Sequence, residues 1–221
     1  MNVDTAEISQ PATPNSPGRV ERRKQRTRAA LISAARRLFA AQSVETTSIS
    51  EIAEEADIAV GSFYNYFAGK DELLAALLET SFEQQLALLG SRQEKVDDPA
   101  EKVSIAHRHL IELTTTEPEL GWLVVRFEVP QRIGAGALSA AARTDLEEGI
   151  AKGRFKVADP EVSLRASGGA LLGVVHAILL EELPADVGTE HAAGVLMSLG
   201  MNPDEAREIA ARPLPPANPE T

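Results

Sequence analysis

Apolar residues recur along this chain at the spacing of an α-helix, and nowhere alternate as a strand requires. Leu31, Ala35, Leu38 and Phe39 fall at i, i+4, i+7 and i+8. They predict a helix from Val20 to Gln42, with Arg28, Arg36 and Arg37 off its apolar stripe. Ile49, Ile52, Ala53 and Ala56 predict a short second helix. Ser48 followed three residues later by Glu51 is the pattern of a capping box, in which each side chain satisfies a free backbone N–H. Asp57-Ile58-Ala59 interrupts the pattern. A third segment, Val60 to Tyr66, carries Phe63 with Phe67 one turn on, and Ala68-Gly69 ends it. A long fourth helix opens at Lys70-Asp71 and runs to about Leu89, turning Leu74, Leu77, Leu78, Phe82, Leu86 and Leu89 inward.

Gly90 to Pro99 is polar and acidic and reads as a loop. Further helices fit 100–115, 118–129, 137–152, 160–182, 188–199 and 203–211. Their boundaries carry breakers: Glu117-Pro118, Pro130, Gly134 and Gly136, Gly153, Asp159-Pro160, Pro184, Gly188, Gly200 and Asn202-Pro203. No Asn-Gly or Asp-Gly hairpin turn occurs, so the fold class is all-α. The segment Ala166 to Leu180 is apolar nearly all round, which demands burial on several sides. Gly168, Gly169 and Gly173 within it admit a close helix neighbour. Residues 1–18 and 212–221 are Pro-rich tails, and the helical part divides into 19–70 and 71–211.

Composition narrows the chemistry. The chain has 221 residues and no cysteine, which removes disulfide scaffolds, thiolate metal sites and cysteine nucleophiles. Its longest apolar stretch, Gly168 to Leu180, is 13 residues, short of the roughly 20 that span a bilayer. The N-terminus lacks a basic start and an apolar stretch, so no export signal is read and a cytoplasmic location is expected. Net charge is −11, yet Arg19, Arg22, Arg23, Lys24, Arg26, Arg28, Arg36 and Arg37 crowd into the first 40 residues. A basic end on an acidic body suits a polyanion; a solvated helix face gives the same pattern.

Two short helices separated by three residues describe a helix-turn-helix, although ordinary bundles also contain such pairs. The chemistry of the third segment favours nucleic acid. Gly61, Ser62, Tyr64, Asn65, Tyr66 and Lys70 are small or hydrogen-bonding, whereas Phe63 and Phe67 face the other way. A recognition helix needs that split, one face to pack and one to meet bases and phosphates. Both tyrosines of the chain lie here.

The stretch Thr47 to Leu73, TSISEIAEEADIAVGSFYNYFAGKDEL, closely resembles the helix-turn-helix signature of TetR/AcrR-type transcriptional regulators. The resemblance covers about residues 25–75 and extends to the preceding basic helix. It implies a three-helix DNA-binding domain followed by a larger helical domain for dimerisation and ligand binding. It further implies a homodimer on a palindromic operator, most simply a repressor released by a small-molecule effector. Activation, or regulation without an effector, is the alternative within the family. Thr47 and Ser48 resemble the family's phosphate-contacting helix start, and Tyr66 and Lys70 its phosphate-holding positions. Gly61 resembles the small residue that admits the DNA backbone. Ser62, Tyr64 and Asn65 are placed to reach bases, Asn65 foremost because Asn pairs bidentately with adenine. Arg26 and Arg28, with Arg22 to Lys24 as further candidates, add contacts from the first helix or a basic arm. Two positions depart from the signature. Asp57 replaces the usual Gly of the turn, and Ala59 the usual Ser cap.

In the larger domain, Phe82, His107, Trp122, Arg126, Phe127 and His176 are candidates for an effector pocket, a mixture of apolar bulk and a few polar groups. Each also reads as an ordinary core residue. By resemblance the helices 160–182 and 188–199 form the dimer interface, with Leu171, Leu172, Val175, Leu179, Val195 and Leu196 as its candidates. His107 and His109 are two apart and do not share a helix face, so no metal site is expected, and no cofactor. Gly134-Ala135-Gly136 follows no strand and is no nucleotide loop. An enzyme would need converging nucleophile, base or metal ligands, and none is found. A helical interaction module with a basic arm is the rival from another class.

Overall fold

The computed structural model describes residues 18–126 and 137–217. Phe127, Pro130 and the Gly134-Ala135-Gly136 stretch lie outside these described residues, as do 1–17 and 218–221. The described residues form helices joined by turns, with no strand among them. In order these are α1 (Arg19–Ala41), α2 (Ile49–Glu55), α3 (Val60–Phe63), α4 (Lys70–Gln93) and α5 (Pro99–Thr116). They continue with α6 (Pro118–Arg126), α7 (Ala137–Ala151), α8 (Pro160–Leu179), α9 (Gly188–Ser198) and α10 (Pro203–Ala210).

Helix starts follow local chemistry. Ser48 and Glu51 form the full capping box at α2. Asp98, Asp159 and Asn202 each accept from a backbone N–H of the first turn, and a proline follows each of them. Proline at the first helical position removes a donor that would otherwise go unpaired. The expected loop from Gly90 starts later, because α4 continues to Gln93. Its last turn is held from outside: the Arg92 side chain is 9% exposed and bonds Glu112 of α5 at 2.5 Å. Tertiary contact of this kind overrides the polar local sequence.

One apolar core runs from the first helices into the body. Leu31 and Phe39 of α1, Ile52 of α2, and Phe63 and Phe67 pack with Leu73 and Leu77 of α4. The same cluster continues through Leu110, Leu120, Leu123 and Leu171 to Val175 and Ile178. A second cluster joins Leu146, Phe155, Leu196, Leu199 and Ile209 at the far end. There Gly149 has a structural task, since a Cβ on it would stand 2.1 Å from the Phe155 ring. Helix α5 is central, packing against α4, α6, α7, α8, α9 and α10. This explains why His109, although it does not share a helix face with His107, is only 4% exposed.

The expected interface residues of α8 and α9 pack largely within this chain. Leu171, Val175, Val195 and Leu196 are buried inside this chain's own core, and Leu172 and Leu179 are partly buried against it. The first four are therefore already covered within one chain, while Leu172 and Leu179 keep some exposed surface. The open face of α8 is the opposite one, with Val162, Ala166, Ala170, Gly173 and His176 exposed and Leu180 just past its end. By length and composition α8 is apolar enough to cross a membrane, and only 11% of that window is buried within the chain. Periodicity marks no single inner face on a helix that is apolar all round.

Candidate nucleic-acid interface and effector cavity

The turn between α2 and α3 is built on Asp57, whose φ of 53° lies in the left-handed region. Asp tolerates that region better than most residues because its short polar side chain can bond locally. Ala59 occupies the cap position of α3 and makes no side-chain cap bond. Phe63 and Phe67, 0% and 2% exposed, anchor the segment to the core. Their rings lie 6.0 Å apart.

That anchoring turns the polar residues outward. Gly61, Tyr64 and Asn65 are exposed, while Ser62 and Tyr66 are half-buried. Tyr64 is 59% exposed, its ring edge-on to Phe63. Beyond its chain neighbours and its own helix backbone, a Cβ on Gly61 would meet nothing within 4 Å, so this spot is open toward solvent. A groove of about 510 Å³ separates the segment from α1, lined by Arg23, Lys24, Thr27, Ser62, Asn65 and Tyr66 among others. Two cations of α1 thus face the tyrosine and amide side chains across one concavity. Arg26 is exposed on the same helix. Arg28 instead lays its guanidinium over the Phe67 ring, 5.2 Å from the centroid.

Three expected phosphate contacts are otherwise engaged. Thr47 is 1% exposed. Its hydroxyl donates to the Ser43 carbonyl at 2.9 Å and accepts from Gln42 Nε2 at 3.1 Å. Ser48 is exposed, but its hydroxyl belongs to the capping box with Glu51. The Ser48 hydroxyl and backbone N–H hold the Glu51 carboxyl below its ordinary pKa. The Lys70 ammonium donates to the carbonyls of Val44, Glu45 and Thr47 at 2.6, 3.3 and 2.7 Å.

The body contains a small cavity between α4, α5, α7 and α8. Two adjoining spaces of about 80 and 50 Å³ share Ala106, His107, Ala142, Asp145, Leu164 and Ser167 as walls. An apolar cavity of roughly 150 Å³ holds one benzene ring in a well-studied engineered protein. The lining is mostly alanine and leucine, with three polar side chains among the described residues: His107, Asp145 and Ser167. His107 Nδ1 lies 3.0 Å from His191 Nε2. Burial, with His191 beside it, holds His107 neutral and its pKa down to about 3. Burial pushes the Asp145 carboxyl up to about 6, against the pull of Lys102 and helped by Glu148. Desolvation disfavours the charged form of either group, which is why the base falls and the acid rises.

Of the expected pocket residues, His107 alone lines this cavity among the described residues. Phe82 is 6% exposed in the main core. Trp122 and His176 meet edge to face at 6.0 Å, and Arg126 stacks on Trp122 at 5.4 Å. That stack lies by the end of α1, where Arg126 reaches the Ala41 carbonyl at 3.4 Å. Among the described residues, the large aromatics Phe82 and Trp122 serve packing. Asp145, Ser167 and the alanines escaped the sequence reading, because only burial separates Asp145 from the solvated acids beside it. No group of three or more His, Asp or Glu fit to hold a metal occurs among the described residues.

Comparison with known proteins adds an independent line. Residues 31–77 match the family model described as bacterial regulatory proteins, tetR family. Residues 98–212 match the model of the tetracyclin repressor-like C-terminal domain. The crystal structure of RolR in complex with resorcinol has a TM-score of 0.70 at 35% identity, covering 90% of this chain and 100% of that one. The transcriptional regulator TcmR of Streptomyces glaucescens is 35% identical over 112 residues, 49% of each chain. TtgR of Pseudomonas putida is 37% identical over 81 residues, 36% of this chain and 39% of its own. The chain thus spans about half the length of TcmR and less of TtgR. These relatives are regulators, not enzymes.

Proposed function

Because this chain belongs to the TetR family of transcriptional regulators, we propose that it is a homodimeric repressor of a palindromic operator. In this reading a small-molecule effector, held beside His107 and Asp145, releases it from DNA. The carrying observation is the division of the segment Val60 to Phe67: two buried phenylalanines fix it, and its open side presents Gly61, Ser62, Tyr64 and Asn65 next to Arg23 and Lys24. Cations and hydroxyls set the register on phosphates, and an amide reads a base edge. Tyr66 and Arg26 add contacts at the rim.

The dimer rests on the open face of α8, whose small residues admit a second copy closely. Two reading heads would then meet half-sites about 34–36 Å apart, or a multiple of that. The effector class follows from the cavity and from RolR, which binds resorcinol. The two spaces, about 80 and 50 Å³, must widen a little to take a single ring, whose hydroxyls suit Asp145 and neutral His107 as acceptors. An effector that favours one spacing of the heads shifts the population away from the DNA-bound form. Such a protein acts where the DNA is, in the cytoplasm.

The test is fluorescence anisotropy with a duplex selected by the full-length protein from a random library, run against scrambled DNA through a salt series. Tight, salt-sensitive binding to an inverted repeat, weakened by Asn65→Ala and reversed by added resorcinol, supports the reading. Equal binding to all sequences refutes the operator. Operator binding that ignores resorcinol and related phenols refutes the effector class alone.

A further inference from the structure

Lys70 opens α4 and stands where the family resemblance expects a hand on phosphate. Its surroundings say otherwise. The ammonium group has three donors. All three are directed at backbone carbonyls of one loop, Val44 at 2.6 Å, Thr47 at 2.7 Å and Glu45 at 3.3 Å. Those residues are 23 to 26 positions away in the chain. The loop connects α1 to α2 and ends at Ser48, the cap of α2.

The loop's own bonds converge on a different carbonyl, that of Ser43, and leave those of Val44, Glu45 and Thr47 to Lys70. Thr47 donates its N–H and its hydroxyl to the Ser43 carbonyl, at 3.1 and 2.9 Å. The Thr46 hydroxyl joins them at 3.0 Å. Ser43 to Thr47 is therefore a tight turn whose outward carbonyls need a donor. An ammonium is that donor, and charge-assisted bonds are the stronger kind. Lys70 itself is half-buried, and its neighbour Gly69 puts no side chain in the way.

From this we propose that Lys70 is a positioning residue. It clamps the α1–α2 loop to the start of α4 and thereby fixes α2, and through it the recognition segment, at the angle that reads DNA. It does not itself bind phosphate. The proposal rests on the DNA-binding reading above, and its test separates the two.

The experiment compares wild type, Lys70→Met and Lys70→Arg, with Arg23→Ala as a control cation in the DNA-facing groove. Each is titrated with the selected duplex and with scrambled DNA at several salt concentrations. Titrations run at 25 °C, with circular dichroism confirming that each variant is folded. A clamp predicts that Lys70→Met lowers operator affinity by about tenfold, the scale of one or two charged hydrogen bonds. Scrambled-DNA binding and the salt slope stay as in wild type. Lys70→Arg does not rescue, since a planar fork cannot satisfy three converging carbonyls. A phosphate contact predicts the reverse. Both affinities fall together, the slope of log K against log salt shrinks by about 0.9, and Arg restores binding. That pattern overturns the proposal. So does a variant that loses thermal stability yet keeps wild-type operator affinity, which would make Lys70 merely structural. Amide exchange supplies a readout without DNA: Lys70→Met speeds exchange at Thr47, and unchanged exchange there also overturns the clamp. Wild type that selects no duplex overturns the DNA-binding reading itself, a result none of the variants can mimic.

Discussion

Glu117, at the corner between α5 and α6, is the joint most open to a quantitative test. Its carboxylate accepts from Arg36 Nη2 of α1 at 2.6 Å and from Gln85 Nε2 of α4 at 3.1 Å. Arg36 also reaches Glu119 at 3.3 Å. One side chain thus ties the reading head to two helices of the body. Truncation to alanine removes a charged bond whose partners are 30% and 29% exposed. Solvent screening reduces such a pair to about 1 kcal/mol. It also strips the acceptor from the Gln85 Nε2–H group; Gln85 is 3% exposed and its Oε1 already lacks a partner. An orphaned buried amide costs about 1–2 kcal/mol more. Glu117→Ala should therefore destabilise by about 2–3 kcal/mol, or roughly 5–10 °C in Tm for a domain of this size. The assay is thermal unfolding at one fixed protein concentration, because the proposed dimerisation would make Tm concentration-dependent. A double-mutant cycle with Arg36→Ala should return a coupling of about 1 kcal/mol. A Glu117→Ala variant melting within about 1 °C of wild type would refute the reasoning, since neither bond would then carry net stability.

Two further outcomes follow from the geometry. The folded pKa of Asp145 is raised to about 6 from an ordinary 3.8, so the folded state holds the proton more tightly. The associated stability is complete below pH 3.8 and is lost as pH rises through 6. Asp145→Asn should thus raise Tm at pH 7.5, by an amount that shrinks as pH falls from 6 toward 4; an equal gain at both ends would contradict the burial argument. Ala59 caps α3 without a side-chain bond, in extended backbone that suits a cap. Ala59→Ser should add about 1 kcal/mol of stability and leave operator affinity undiminished, which unfolding and anisotropy measurements would show.

The reading head was legible in the sequence because its determinants are local. Ser48 and Glu51 are three residues apart, and their capping box needs no other part of the chain. Phe63 and Phe67 share a helix face by spacing alone, so the exposure of Gly61, Tyr64 and Asn65 follows from their burial. Asp57 stands at the turn's usual glycine position, and its left-handed φ is likewise a property of that residue and its neighbours. Proline and glycine likewise marked where helices of the body begin and end.

Tertiary structure decided what local spacing cannot encode. Lys70 binds carbonyls 23 to 26 residues away, and nothing in its own neighbourhood signals that. Arg92 carries α4 past an acidic stretch by reaching Glu112. From Ala166 on, α8 is apolar nearly all round, so its spacing could not tell the face that packs inward from the face left open; its neighbours α5, α6, α7 and α9 made that choice. The cavity is a difference between volumes contributed by four helices, which is why Asp145 and Ser167 line it while the large aromatics fill the core. Sequence fixes which side chains a helix offers, whereas what each one meets depends on helices brought together over long chain separations.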